Sequence, residues 1–203
     1  MKALIVVDVQ DDFCEGGSLE VPGADQEYIE VVNGVIRDAR SNNIPVIFSQ
    51  DYHPEDHGSF ASNNKCAPFV LGELNGREQM FWPDHCVQNT SGCMFHENLD
   101  WRPDDDIRVR KGMDKTVDSY SAFFDNAKVN KTELDDVLKK LNVTSVDIVG
   151  LAGDFCVKFT AEDAAALGYD TTIIWGAVRC IDAYEDSIKR LQDELKSKGV
   201  NIA

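Results

Sequence analysis

Five short stretches of the chain, residues 3–7, 44–48, 107–110, 145–149 and 171–175, are rich in β-branched residues and mostly unbroken by polar positions. Residues 200–202 form a weaker sixth. Apolar runs of this length without polar alternation read as strands buried on both faces, the habit of parallel sheets. Between them the apolar positions recur at helical spacing: Tyr28, Val31, Val32, Val35 and Ile36 share one face, as do Leu134, Val137, Leu138 and Leu141, and then Tyr184, Ile188, Leu191 and Leu195. Thr132 with Asp135 reads as a capping box, Asp154 as the cap of a helix running to Leu167, and Gly168 and Gly199 as helix stops. Strand alternating with helix predicts an α/β fold, a three-layer α/β/α sandwich around a central, mostly parallel six-stranded sheet. The 203 residues, undivided by repeat or linker, make one domain. Only residues 51–103 break the rhythm. They are rich in Pro, Gly, Asn, Ser and His, and too long for a connector, so they read as a functional loop segment.

Charge then narrows the partners. Twenty basic residues against 36 acidic ones give a net charge of −16, which repels nucleic acid and anionic lipid. The first apolar run ends at Asp8, too short for a signal-peptide core or a membrane span, and the six cysteines lack a disulfide-scaffold spacing. The expected compartment is the cytoplasm, with the cysteines as thiols, and the sequons at Asn89, Asn130 and Asn142 carry little weight.

In an open parallel sheet, ligands bind beyond the carboxyl ends of the strands. Asp8 follows the first predicted strand, Asp51 the second and Lys111 the third, while the fourth runs into Gly150-Leu151-Ala152-Gly153-Asp154-Phe155-Cys156 at a helix start. Cys156 in a first helical turn is a candidate nucleophile, its pKa expected to fall beside the helix dipole. A lone cysteine there is more often an inert core residue, a lone Asp a loop-amide acceptor and a lone Lys a solvated charge. Their coincidence after successive strands supplies acid, base and thiol, the parts of nucleophilic acyl transfer. A second group, Asp51-Tyr52-His53-Pro54-Glu55-Asp56-His57 followed by Trp82-Pro83-Asp84-His85-Cys86, gathers three of the four histidines in the loop segment, with His96 close after. Asp and His in this pattern suit Zn²⁺, Fe²⁺ or Mn²⁺, although scattered histidines also occur as plain surface or core residues. Cys86 and Cys93 lack the CxxC pairing of a structural zinc site.

These blocks, with Asp8-Val9-Gln10-Asp11-Asp12-Phe13, His57-Gly58-Ser59-Phe60, Phe81-Trp82, Lys111-Gly112, Val117 to Phe124 and Asp154-Phe155-Cys156-Val157, resemble the isochorismatase-like cysteine hydrolase family, in particular its nicotinamidase and pyrazinamidase branch, over almost the whole chain. The resemblance implies a metal-containing amidohydrolase that converts nicotinamide to nicotinate and ammonia through a thioester, in NAD salvage. It implies Asp8, Lys111 and Cys156 as catalytic triad, and Asp51, His53 and His85 as ligands of one divalent ion, Zn²⁺ first, with His57 a further candidate. It also implies Phe13 and Trp82 around the pyridine ring, and a cis peptide before Ala152 that turns the amides of Ala152 and Cys156 into one oxyanion hole. Members of the family are often oligomeric. Two positions depart from its pattern: Gly153 stands where a side chain such as Thr is frequent, and Arg179-Cys180-Ile181-Asp182 is not the arrangement of bacterial members. The competing readings are another amide or ureido hydrolase of the same fold, which would lack the Asp51, His53 and His85 set, or a non-catalytic metal or small-molecule binding protein. A nucleotide-binding Rossmann domain fails, because Gly16-Gly17 lacks the GxGxxG spacing.

Overall fold

The computed structural model describes residues 1–203. In chain order the strands are β1 (Lys2–Val7), β2 (Val46–Asp51), β3 (Val70–Leu74), β4 (Arg77–Phe81), β5 (Ile107–Lys111), β6 (Ser145–Gly150), β7 (Asp170–Val178) and β8 (Asn201–Ile202), and the α-helices are α1 (Gln26–Ser41), α2 (Leu134–Lys140), α3 (Lys158–Ala166) and α4 (Glu185–Ser197). Six strands form one sheet in the order β5-β2-β1-β6-β7-β8, and every pairing in it is parallel. Alternation along β1 divides the core. Ala3, Ile5 and Val7 face Leu134 and Leu138 of α2, Ala161 and Ala164 of α3, and Leu191 and Leu195 of α4. Leu4 and Val6 face Tyr28, Ile29, Val32 and Ile36 of α1 on the other side. This is the three-layer α/β/α sandwich expected from the pattern of apolar runs.

The boundaries shift for local reasons. The second strand starts after Pro45, which contributes only its carbonyl to the Leu4 amide, and it continues through Ser49, Gln50 and Asp51, all buried although polar. Asp51 and Lys111 are therefore the last residues of their strands rather than loop residues. Segment 51–103 is not wholly irregular, because β3 and β4 form an antiparallel hairpin there. Two helix faces are narrower than the apolar spacing predicts: Val31 is exposed on α1, and Tyr184 stands exposed before α4. The capping box is half formed. Thr132 Oγ1 accepts from the Leu134 amide at 3.1 Å, but Asp135 accepts from the Tyr169 hydroxyl and from Lys139 instead of reaching back. Asp154 caps no helix either. The chain makes a wide π turn over Gly153–Val157 before α3 begins, and the Asp154 carboxylate is engaged elsewhere.

Candidate active site

The ends of β1, β2, β5 and β6 lie side by side, so the residues leaving them meet. Asp8 turns directly off β1 at φ +50, a left-handed conformation uncommon for a residue with a side chain, and its Oδ1 accepts from Ser49 Oγ at 2.7 Å. Gly150 ends β6 at φ +122 against the Val7 carbonyl, where a Cβ would lie 2.1 Å from that oxygen. Only glycine lets the turn bearing Cys156 run so close to β1. The Leu151–Ala152 peptide that follows is cis.

Lys111 sits at the centre with its side chain fully buried. Its ammonium lies 3.0 Å from Asp8 Oδ2 and 2.6 Å from Asp51 Oδ1, donates to the Ser119 carbonyl at 2.8 Å, and approaches Cys156 Sγ at 3.5 Å. Asp8, Asp51 and Cys156 present side-chain atoms within 4.8 Å of one another. Burial opposes the Lys111 charge, but Asp51 and Asp8 outweigh it, so Lys111 stays an ammonium well above the ordinary lysine range. Burial likewise opposes the Asp51 charge, and Lys111 and His53 reverse the balance, holding Asp51 below the usual carboxylate range. Asp8 goes the other way: burial raises it against the pull of Lys111. Cys156 corrects the expectation from the helix dipole. It lies inside the π turn rather than at the open start of an α-helix, and burial pushes its thiol well above the ordinary value despite Lys111. The resting residue is a thiol beside a carboxylate that is a stronger base than usual.

Asp51 joins this group to a second one. Asp51, His53 and His85 offer ligand atoms within 4.8 Å of one another, all buried. His53 Nδ1 faces the Gly112 carbonyl at 2.8 Å and His85 Nδ1 the Pro83 carbonyl at 2.7 Å, so in both rings Nδ1 carries a proton and Nε2 is the nitrogen left to meet an ion. Two imidazole Nε2 atoms, that of His53 lying 3.6 Å from Asp51 Oδ2, and a carboxylate that stays ionised form a donor set that fits a divalent ion. Gly112 has φ +67, and a Cβ there would lie 2.4 Å from His53 Cε1. His57 is placed differently, grouped with His53 and Asp118. Its Nδ1 lies 3.1 Å from the Ser59 amide, a fixed donor that takes up the lone pair, and its Nε2 is buried without a partner.

Beside these groups lies a narrow cavity lined by Phe13, Trp82, His85, Tyr120, Phe155 and Ile181, with Asp51, Cys156 and Ala152 in its wall. Phe13 is tilted against His85 at 5.4 Å between centroids, and Trp82 packs T-shaped on Phe155 at 4.8 Å. The Ala152 amide makes no hydrogen bond within the chain. Tyr120, Phe155 and Ile181 were not singled out from the sequence. Tyr120 and Phe155 lie in motifs whose other residues carry the expected chemistry, and Ile181 lies just past β7, in the segment that departs from the family pattern.

A parallel α/β sandwich with a buried Asp, Lys and Cys cluster at its strand ends is the architecture of a cysteine hydrolase. Residues 2–197 match the Isochorismatase domain family, and the chain belongs to that family. It is 42% identical to the nicotinamidase of Escherichia coli over 201 residues, covering 99% of this chain and 93% of that protein. A crystal structure of the yeast nicotinamidase bound to the inhibitor nicotinaldehyde superposes with a TM-score of 0.94 at 34% identity, covering 100% of this chain and 99% of the other. The pyrazinamidase of Pyrococcus horikoshii in complex with zinc gives 0.81 at 33% identity, covering 100% and 98%.

Proposed function

We propose that this protein hydrolyses nicotinamide to nicotinate and ammonia through a thioester on Cys156, feeding the pyridine ring into NAD salvage. One arrangement supports the reading above all: an aromatic-walled cavity brings together in its lining Cys156, of the cluster with Asp8 and Lys111, and Asp51 and His85, of the donor set with His53. A planar heteroaromatic carboxamide matches both ends at once.

Asp8 takes the thiol proton as Cys156 Sγ attacks the carboxamide carbon, and Lys111 at 3.5 Å stabilises the developing thiolate. The transfer keeps the net charge of the buried cluster unchanged, which removes the need for a preformed thiolate in a site that burial makes hostile to one. The Ala152 amide, free of any internal acceptor, and the Cys156 amide receive the oxyanion. Protonated Asp8 then gives its proton to the departing amine, releasing ammonia and leaving the nicotinoyl thioester. Asp8, ionised again, takes a proton from water as the hydroxyl attacks the thioester, and returns it to the Cys156 thiolate as nicotinate leaves. Phe13 and Trp82 hold the ring between them.

Asp51, His53 and His85 would hold the divalent ion, which supplies a fixed Lewis-acid point for the pyridine nitrogen and so orients the carboxamide towards Cys156. Zn²⁺ is the first choice, and the same donors accept Fe²⁺ and Mn²⁺. His57, with Nδ1 accepting from the Ser59 amide, carries its proton on Nε2 and so offers no lone pair there to the ion. The six free thiols suit a reducing compartment, and we place the protein in the cytoplasm. The test is product analysis: purified protein supplied with Zn²⁺, Mn²⁺ or Fe²⁺ should release nicotinate and ammonia from nicotinamide in equal amounts. Silence with all three ions overturns the substrate.

A further inference from the structure

The two departures from the family pattern, Gly153 and the Arg179-Cys180-Ile181-Asp182 segment, meet in the structure. A Cβ on Gly153 would lie 2.5 Å from Cys180 Sγ and 2.7 Å from Val178 Cγ1, so the bare backbone of the nucleophile turn is what admits the Cys180 side chain beside it. The Gly153 amide donates to the Arg179 carbonyl at 2.7 Å. Beyond this point the segment leaves the body of the protein, and Asp182, Ala183 and Tyr184 are exposed. What holds it is Asp154. One carboxylate oxygen accepts from the Ile181 amide at 3.0 Å and the other from the Asp182 amide at 2.8 Å. Those are the only side-chain bonds of Asp154, which caps no helix. The residue it fixes, Ile181, is half-buried and lines the cavity together with Phe13, Trp82 and Cys156.

Building on the nicotinamide reading, we propose that Ile181 is a specificity wall that sets how large a pyridine ring the cavity accepts, and that Asp154 is the positioning residue that clamps this wall to the nucleophile turn. The clamp couples two elements that substrate must find together: the turn carries the thiol, and the segment after β7 closes the ring side of the cavity. An apolar wall of this kind discriminates by size, so shortening Ile181 should admit substituents on the ring, whereas loosening the clamp should weaken binding of the unsubstituted ring without disarming Cys156.

Steady-state kinetics on nicotinamide and on ring-methylated nicotinamides test this in the metal-loaded enzyme, with wild type, Asp154→Asn, Ile181→Ala and the double variant. Asn retains one acceptor and turns an NH₂ towards the second amide. Asp154→Asn should raise KM about tenfold with kcat changed less than about threefold, and Ile181→Ala should raise relative kcat/KM for a methylated ring about tenfold. If Asp154 acts through Ile181, its effect on KM should shrink to under about threefold in the Ile181→Ala background. An unchanged KM in Asp154→Asn, a loss confined to kcat, or the same KM effect with Ile181 removed would overturn the clamp, and an Ile181→Ala variant that still rejects methylated rings would overturn the wall. A wild type silent on nicotinamide would remove the proposed reaction and the wall together, while an active wild type with indifferent variants removes only the inference.

Discussion

Asp8, Lys111 and Cys156 are delivered by the ends of paired strands, whereas His53, His85 and Trp82 are delivered by a long excursion that never joins the main sheet. The first group inherits its precision from the sheet ladder: fixing β1, β2, β5 and β6 in register fixes their terminal side chains as well. The second must be held by bonds made one at a time. Gln10 gives its amide to the carbonyls of Asp51 and Cys93 at 2.8 and 2.9 Å, Gln50 donates to the Cys93 carbonyl at 2.7 Å, and Asp12 accepts from the Cys86 amide at 2.7 Å. Asn64 donates to the carbonyls of Gly58 and Phe60, both at 2.8 Å. Polar side chains thus do in the excursion what strand pairing does in the sheet, and the buried ones, Gln10 and Gln50, are correspondingly intolerant of replacement.

The largest effect should come from breaking the strand-end group. Lys111→Met removes the one cation facing two buried carboxylates, and leaving such charges unpaired costs about 3–5 kcal/mol. Denaturant melts should show a loss of that size together with loss of turnover; a variant as stable as wild type would mean that the ammonium is not the keystone of the cluster. Next comes the metal side. Gly112→Ala puts a methyl group into the His53 ring from a backbone at φ +67, and displacing a ligand histidine should weaken divalent-ion affinity by roughly 10–100-fold while the sheet stays folded. Metal titration and a thermal melt on the same sample read both, and unaltered affinity would show that the Gly112 contact does not govern His53. Smallest is the seam between the regions. Gln10→Ala leaves the Asp51 amide and carbonyl without their partner and the Cys93 carbonyl with Gln50 alone, for a loss of about 1–2 kcal/mol. A negligible change in midpoint would mean that the excursion is held some other way.

The contrast between the regions also explains what the sequence disclosed. Buried parallel strands announce themselves as apolar runs, so the sheet and its strand-end residues were legible. Their exact ends were not, because Ser49, Gln50 and Asp51 are polar yet stay in a buried strand where the cluster uses them. In the excursion the chemistry was legible and the architecture was not. Histidines are conspicuous, whereas the one local sign of the hairpin of β3 and β4 is Asn75-Gly76, both at positive φ, the signature of a tight hairpin turn, set among residues with little apolar alternation. The Cys156 shift runs against the helix-start expectation because that argument applies to an exposed first turn, and this thiol is buried in a π turn. Asp154 looked like a cap because its partners, the amides of Ile181 and Asp182, lie 27 and 28 residues away. No local pattern reveals a bond of that range.

The most direct test of the account is ammonia release from saturating nicotinamide by wild type and Cys156→Ala, matched for divalent metal content. The account expects steady release from wild type and a loss of about 10⁴-fold or more in the variant, with metal content unchanged. A variant that keeps turnover within about tenfold of wild type would contradict it, since the reaction would then need no thiol.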